Sequence, residues 1–187
     1  MSMHVIWTQT GKEEYVKGLL EHSIGRDHHD LATGIYIPKR AKLFRSSGGV
    51  KEESRLLFPG YLFLETPDLE AFMEEFRHLY FKTFIHVLGK NRETLRNVSE
   101  EESRQILRLC GDDHFMGISK AIKEGTKVRF VEGPMVGLQA YVKKVEPKKC
   151  YAVLEMEMFG QKRNIAAAFE TFAEDGETLI YGRGEKS

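Results

Sequence analysis

The chain has 187 residues, which is enough for one large domain or two small ones. Its 28 basic residues balance its 28 acidic residues, so the net charge does not indicate a polyanionic partner. A hydrophobic content of 41% is ordinary for a globular protein, and no apolar run approaches the roughly 18 residues of a membrane span. Two cysteines without metal-ligand spacing, and no signal-like segment at the N-terminus, lead us to expect a soluble cytoplasmic protein.

The first 110 residues are predicted to follow the order β-α-β-β-α-β-α. Strands are expected at 4–9, 34–38, 61–64 and 84–88, where short apolar runs end at glycine or polar residues. Helices are expected at 12–24, after residues 66–68, and from Ser99, which forms a capping-box pattern with Glu102. Residues 39–55 are predicted to form a long basic hairpin with a Ser/Gly tip. This order is typical of a compact α+β domain.

Strand 61–64 is apolar at every position, which predicts that both of its faces are covered. It follows the turn pair Pro59-Gly60. Side chains alternate along a strand, so Tyr61 and Phe63 share one face while Leu62 and Leu64 share the other. We assign the leucines to the domain's own helices. The residues alone do not decide whether the aromatic face meets the core or a partner.

The pattern of predicted elements changes after residue 110, from mixed helices and strands to short strands separated by turns. Residues 111–120 are predicted to be a linker, and 121–182 to be a small β-barrel followed by a tail at 183–187. Short strands are expected at 127–131, 139–145, 151–158 and 164–168, with turns between them. Residues 120–163 hold ten basic and five acidic residues, a net charge of +5. Such a cluster suits phosphate groups, and RNA in particular, although a charge run is more often a solvated face.

No catalytic motif is apparent, so we expect a binding protein and not an enzyme. The sequence lacks a phosphate-binding loop, a GxSxG or HExxH motif and a paired CxxC. His22, His28, His29 and Asp30 do not have the spacing of a recurrent metal site. We therefore expect neither a metal nor a cofactor.

Both halves carry motifs that together resemble the NusG family of bacterial transcription factors. In the first half these are the Trp7 strand, Gly11-Lys12-Glu13, residues 36–38 and, above all, Phe58-Pro59-Gly60-Tyr61-Leu62-Phe63. In the second half they are residues 125–134, Gly137 and Met158-Phe159-Gly160. The resemblance covers nearly the whole chain. It implies an NGN-like α/β sandwich with a small, mainly antiparallel sheet (residues 1–110), followed by an SH3-like KOW barrel.

The resemblance implies partners for specific residues. The aromatic face of strand 61–64 would grip the clamp helices of RNA polymerase, through Trp7, Tyr61, Phe63, Phe84 and Ile85. Cationic residues of the first domain would touch non-template DNA: Lys12, His22, Arg77 and Lys82. The clustered positive charge of the barrel suits RNA beside an elongating polymerase, and the cationic residues expected to touch it are Lys127, Arg129, Lys143, Lys144, Lys148, Lys149, Lys162 and Arg163. Phe159 matches a position that contacts a ribosomal protein, although it could equally plug the barrel end.

The sequence departs from the general members of this family in two places, and both departures resemble the specialised paralogues of the RfaH and LoaP kind. Residues 161–165 replace the run that usually follows the phenylalanine-glycine pair, and the hairpin is long and basic. We therefore expect a monomeric elongation factor that suppresses pausing and promotes antitermination at specific operons. Two alternatives stay open: a general factor that couples transcription to translation or termination, and a KOW-type RNA- or ribosome-binding module without polymerase contact.

Overall fold

The computed structural model describes residues 2–27, 30–77 and 95–183. These divide into two compact units, which we describe separately: Met1–Pro38 with Phe58–Arg104, and Lys39–Leu57 with Gln105–Ser187. Within the described residues, no helix is both long enough and apolar enough to span a membrane.

The first unit is built on an antiparallel four-stranded sheet in the order β2-β5-β1-β6. Its strands are β1 (Ser2–Trp7), β2 (Gly34–Tyr36), β5 (Tyr61–Thr66) and β6 (Leu95–Asn97). Strand β5 lies between β1 and β2, and Leu62, Phe63 and Leu64 are all buried. The prediction that both faces of this strand are covered is therefore confirmed.

The described residues of the first unit include helices α1 (Glu13–Asp27) and α2 (Leu69–Glu75), and α3 (Glu100–Cys110) begins in this unit and ends in the second. Asp68 caps helix α2, because its carboxylate accepts a hydrogen bond from the Ala71 amide. Helix α3 begins with the predicted capping box. The Glu102 amide donates to the Ser99 hydroxyl, and the Ser99 amide donates to the Glu102 carboxylate.

The second unit contains a curled six-stranded sheet in the order β10-β11-β12-β8-β9, with β13 paired to β12. Its strands are β8 (Ser119–Glu124), β9 (Lys127–Glu132), β10 (Val142–Glu146), β11 (Tyr151–Met158), β12 (Gln161–Phe172) and β13 (Leu179–Tyr181). Alternate residues of β11, from Ala152 to Met158, are buried on the inner face. The other residues of β11, which include Tyr151, lie on the outer face of the sheet.

The hairpin of β3 (Lys39–Ser46) and β4 (Gly49–Leu56) has the form that the sequence predicts. It groups with the second unit, however, because Ala41 and Leu43 pack against Cys150 and Ala168. It also pairs with the short strand β7 (Phe115–Met116). Arg45 donates a hydrogen bond to the Lys148 carbonyl at 3.2 Å, and Arg183 pairs with Glu52.

Several predicted elements differ from the structure. Residues 139–145 do not form one strand, since Gln139–Tyr141 is a 3₁₀ turn and only Val142 begins the extended chain. The expected linker at 111–120 contains β7 and the start of β8, which the sequence analysis missed. The predicted strand at 84–88 lies outside the described residues. The division into domains at 110 and 121 stays a prediction.

Two glycines with left-handed backbone allow a matched test of close packing in the second unit. Gly133 has φ +87, and an added Cβ would lie 2.8 Å from the Cα of Ser119. Gly125 has φ +59, but an added Cβ would meet nothing within 4 Å. We expect Gly125→Ala to lower the free energy of unfolding by about 1 kcal/mol, because only the backbone is strained. Gly133→Ala adds a steric clash, and we expect a loss of about 3 kcal/mol.

Urea unfolding of the two glycine variants and the wild type measures this difference. Equal losses for the two substitutions would show that Ser119 yields to the added methyl group, and would contradict the close contact between the 133 turn and β8.

Candidate functional site

An exposed pair of aromatic rings marks one edge of the first unit. Trp7 ends β1 and Tyr61 begins β5, and the two residues lie opposite each other in the sheet. Their rings are stacked, with centroids 6.2 Å apart and planes 9° apart. Trp7 is 52% exposed and Tyr61 is half-buried. Aromatic rings offer a large contact area at a low entropy cost, which suits them to anchor a protein interface.

A buried carboxylate holds the turn beside these rings. Glu13, at the start of α1, is only 2% exposed. One of its oxygens accepts a hydrogen bond from the Gly60 amide at 2.7 Å, and the other accepts one from the Gly11 amide at 2.7 Å. Charge-assisted bonds of this kind are stronger than neutral ones. Glu13 thereby links the start of α1 to the loops after β1 and before β5; we call this arrangement the Glu13 clasp.

Gly60 is required at its position in the clasp. Its φ of +86 lies in the region that favours glycine, and an added Cβ would lie 3.0 Å from the Thr8 carbonyl. That same segment is bonded to the turn, since the Thr8 amide donates to the Gly60 carbonyl at 2.8 Å. The Tyr61 amide closes the turn by donating to the Phe58 carbonyl at 3.1 Å. The Phe-Pro-Gly-Tyr motif thus sets where Tyr61 stands opposite Trp7.

Of the remaining predicted polymerase contacts, the structure describes Phe63. Phe63 shares the face of Tyr61, but it is 1% exposed and packs 5.7 Å from the Phe58 ring. Its side chain is therefore buried in its own unit, and the polymerase contact that the resemblance implies for it stays a prediction. Tyr61 begins β5, whereas Phe63 lies inside the sheet between β1 and β2. Phe84 and Ile85 lie outside the described residues.

The cationic residues predicted in the first unit are exposed but are not brought together. Lys12 lies just before α1, His22 lies on it, and Arg77 follows α2. Arg77 pairs with Glu74 at 3.8 Å. No hydrogen bond or ion pair among the described residues joins these three side chains, and Lys82 lies outside that part of the chain.

The basic residues of the second unit fall into two groups. In the first group, carboxylates of the same unit already pair with the cations: Arg129 with Glu124, Lys143 and Lys162 with Glu155, and Lys144 with Glu146. Hydrogen bonding and the charge of Lys143 lower the pKa of Glu155, as those of Lys144 lower the pKa of Glu146. In the second group, Lys127, Lys148 and Lys149 are exposed and form no ion pair with any described residue.

Phe159 is buried in the second unit. The residue sits between β11 and β12 with φ +55, and its ring is 5% exposed. The Arg163 guanidinium lies over that ring, 5.6 Å from its centroid. The ring is therefore covered within its own unit. Its predicted contact with a ribosomal protein stays a prediction.

Sequence reasoning missed two features. The first feature is the burial of Glu13, which follows an exposed lysine in the sequence. The sequence analysis includes Glu13 only as part of a motif, because no local pattern indicates that its carboxylate is buried. The second feature is a groove beside Arg40, a residue that lies opposite Arg55 in the hairpin. Burial and the charge of Arg55 lower the pKa of Arg40. The sequence signal for this feature is a pair of arginines, Arg40 and Arg55, at directly opposed positions of the predicted hairpin, where like charges repel.

The two units together define a mixed α+β fold of the kind that the sequence motifs indicate. No protein-family model matches the sequence. Curated relatives do match, among them the transcription termination/antitermination protein NusG of Thermus thermophilus, at 28% identity over 175 residues. That alignment covers 89% of this chain and 94% of the relative. NusG of Streptococcus pyogenes serotype M3 is 29% identical over 161 residues, covering 84% and 87% of the two chains.

A solved structure of Thermotoga maritima NusG has the same fold. Its TM-score is 0.53 at 23% identity, over 89% of this chain and 93% of that chain. The resemblance to the NusG family is therefore confirmed: the chain has NusG relatives over most of its length and a NusG-like fold.

The Glu13 clasp predicts a large effect from one buried carboxylate. Glu13→Ala leaves the amides of Gly11 and Gly60 without their acceptor, and we expect the free energy of unfolding to fall by about 2–4 kcal/mol. Trp7 is the single tryptophan, so its fluorescence should also shift as the ring stack loosens. Glu21→Ala on the same helix removes only an exposed pair with Lys17 and serves as the control.

Denaturant unfolding followed by tryptophan fluorescence provides both readouts for the clasp. An unchanged midpoint and spectrum for Glu13→Ala would contradict the role that we give to this carboxylate.

Proposed function

We propose that this protein is a transcription elongation factor that binds RNA polymerase, suppresses pausing and promotes antitermination at specific operons. The observation that carries the proposal is the exposed Trp7–Tyr61 stack, in a chain whose curated relatives are transcription termination/antitermination proteins. The partner surface is the clamp helices of the polymerase, and the stacked rings are the anchor.

The mechanism is differential binding and not catalysis. A factor that binds the active, closed polymerase more tightly than the paused polymerase shifts the balance between them by the ratio of the two affinities. The Trp7–Tyr61 stack suits this task because the Glu13 clasp fixes its geometry before the partner arrives. A rigid anchor loses little conformational entropy on binding.

A second candidate function is a general factor that acts on most operons and couples transcription to translation or termination. The observation in its favour is that the matched relatives carry the general name of transcription termination/antitermination protein. The long basic hairpin and residues 161–165 favour the specialised role. Transcription of several unrelated templates separates the two, since a general factor acts on all of them.

The aromatic pair gives the most direct test of polymerase binding. We expect the double change Trp7→Ala and Tyr61→Ala to weaken binding to the isolated clamp helices by about 30-fold or more, as for other aromatic hot spots. Tyr141→Ala, at an exposed aromatic residue of the second unit, should leave the affinity unchanged. Pull-down and titration with the clamp helices measure both affinities.

Failure of the wild-type protein to bind the clamp helices would reject the proposed function. Full retention of binding by the double variant would instead remove the Trp7–Tyr61 stack from the interface.

The exposed basic residues of the second unit are proposed to contact RNA. Lys148 and Lys149 form no ion pair with a described residue, whereas Lys143 and Lys144 are paired with carboxylates. We expect Lys148→Gln with Lys149→Gln to lower affinity for single-stranded RNA and to reduce the salt slope by about 1.4, because two phosphate contacts are lost. The matched pair Lys143→Gln with Lys144→Gln should have a smaller effect.

Fluorescence anisotropy of a labelled RNA, titrated at several salt concentrations, gives both the affinity and the slope. Equal effects of the two lysine pairs would show that the carboxylates do not distinguish them.

A further inference from the structure

A groove of about 200 Å³ lies on the outer face of β11 and β12, where the β3–β4 hairpin packs against the second unit. The outer face follows from the register: Tyr151 lies opposite Ala168, while the neighbouring Ala152 is fully buried on the inner face. Three residues come from the hairpin and three from the sheet. The lining residues are Arg40, Lys42, Leu43, Tyr151, Ala166 and Ala168.

The hairpin side of the groove carries unbalanced positive charge. Arg40 lies directly opposite Arg55, and like charges in such positions repel each other. Among the described residues, the acidic side chain that acts on Arg40 is Glu53, which already pairs with Lys42 at 2.9 Å and with Arg55 at 2.7 Å. Among the described residues, Arg40 therefore has no ion-pair partner. A half-buried guanidinium in this state favours an anion, and its planar fork suits phosphate.

The sheet side of the groove offers an aromatic and apolar surface. Leu43 and Ala168 are buried at its base, and the half-buried Tyr151 stands beside Ala166. Tyrosine rings stack on nucleobases of any sequence, since every base has a π-face. The groove is smaller than the pocket of a drug-sized ligand, which starts at about 300 Å³. Its size suits a single base with its phosphate.

One further cation near the groove favours a strand over a free nucleotide. Lys148 is exposed, and its carbonyl accepts the hydrogen bond from Arg45 that fastens the hairpin. On β10, Glu146 lies opposite Tyr151 and Lys144 lies opposite Val153, and these two side chains pair with each other at 2.7 Å. A nucleic-acid backbone that leaves the groove toward Lys148 therefore meets a cation that forms no ion pair with a described residue.

We propose that this groove binds one nucleotide of a single-stranded nucleic acid, with its phosphate on Arg40 and its base against Tyr151. The inference deepens the nucleic-acid contact proposed above and rests on it. It adds a site that combines the hairpin with the sheet, whereas the lysine pairs act only as a surface charge. The base–Tyr151 contact makes the site selective for single strands, because bases within a duplex are already stacked.

The test uses the full chain and two labelled oligonucleotides of about ten residues, oligouridine and oligodeoxythymidine, read by fluorescence anisotropy. We expect Arg40→Gln and Tyr151→Leu each to weaken binding by about five- to tenfold. Two matched variants should bind as wild type. Arg104→Gln removes an exposed guanidinium from the first unit, and Tyr141→Leu removes an exposed tyrosine ring of the second unit that does not line the groove. Thermal unfolding midpoints confirm that each variant is folded.

Each outcome decides the proposal. A loss of affinity for either oligonucleotide supports the groove as a binding site. The oligonucleotide that shows the larger loss of affinity identifies the ligand as RNA or DNA. Folded Arg40→Gln and Tyr151→Leu variants that bind both strands like wild type would overturn it. If those variants are unaffected while the Lys148–Lys149 variant is weakened, the groove is rejected and the surface contact stands. Binding to the clamp helices, measured separately, decides the polymerase interaction independently.

Discussion

One buried carboxylate organises the first unit around its exposed rings. From the first turn of α1, Glu13 accepts hydrogen bonds from the amides of Gly11 and Gly60, and Gly60 lies 47 residues further along the chain than Glu13. Because β1 ends and β5 begins beside this clasp, Trp7 and Tyr61 are placed opposite each other at the ends of the two central strands. The aromatic surface is thus a product of buried polar bonding, and it stands ready before any partner arrives.

The second unit shows how a charged surface can contain both neutralised and available cations. Carboxylates on the same strand or on a neighbouring strand pair with Lys143, Lys144 and Lys162, and exposed pairs of this kind are screened by water. The residues of greater interest are those that the fold leaves unbalanced: Lys148 and Lys149 beside a 3₁₀ turn, and Arg40 in the hairpin. Net charge alone does not distinguish these groups, whereas their described neighbours do.

Local patterns predicted local structure well. The capping box at Ser99, the hairpin tip, the doubly covered strand 61–64 and the strand at 151–158 all follow from spacing within a few residues. The misses are non-local. Strand β8 is defined by parallel pairing with β12, about fifty residues later, and the hairpin's packing against Ala168 has no counterpart in its own sequence.

The central claim is that the Trp7–Tyr61 stack makes this protein act on transcribing RNA polymerase. The most direct measurement is single-round transcription in vitro through a pause site and a terminator, with wild-type protein and with the Trp7→Ala, Tyr61→Ala double variant. The account predicts that the wild type shortens the pause and increases full-length transcript, and that the folded double variant does neither. Equal activity of the two proteins, or no effect of the wild type, would contradict it.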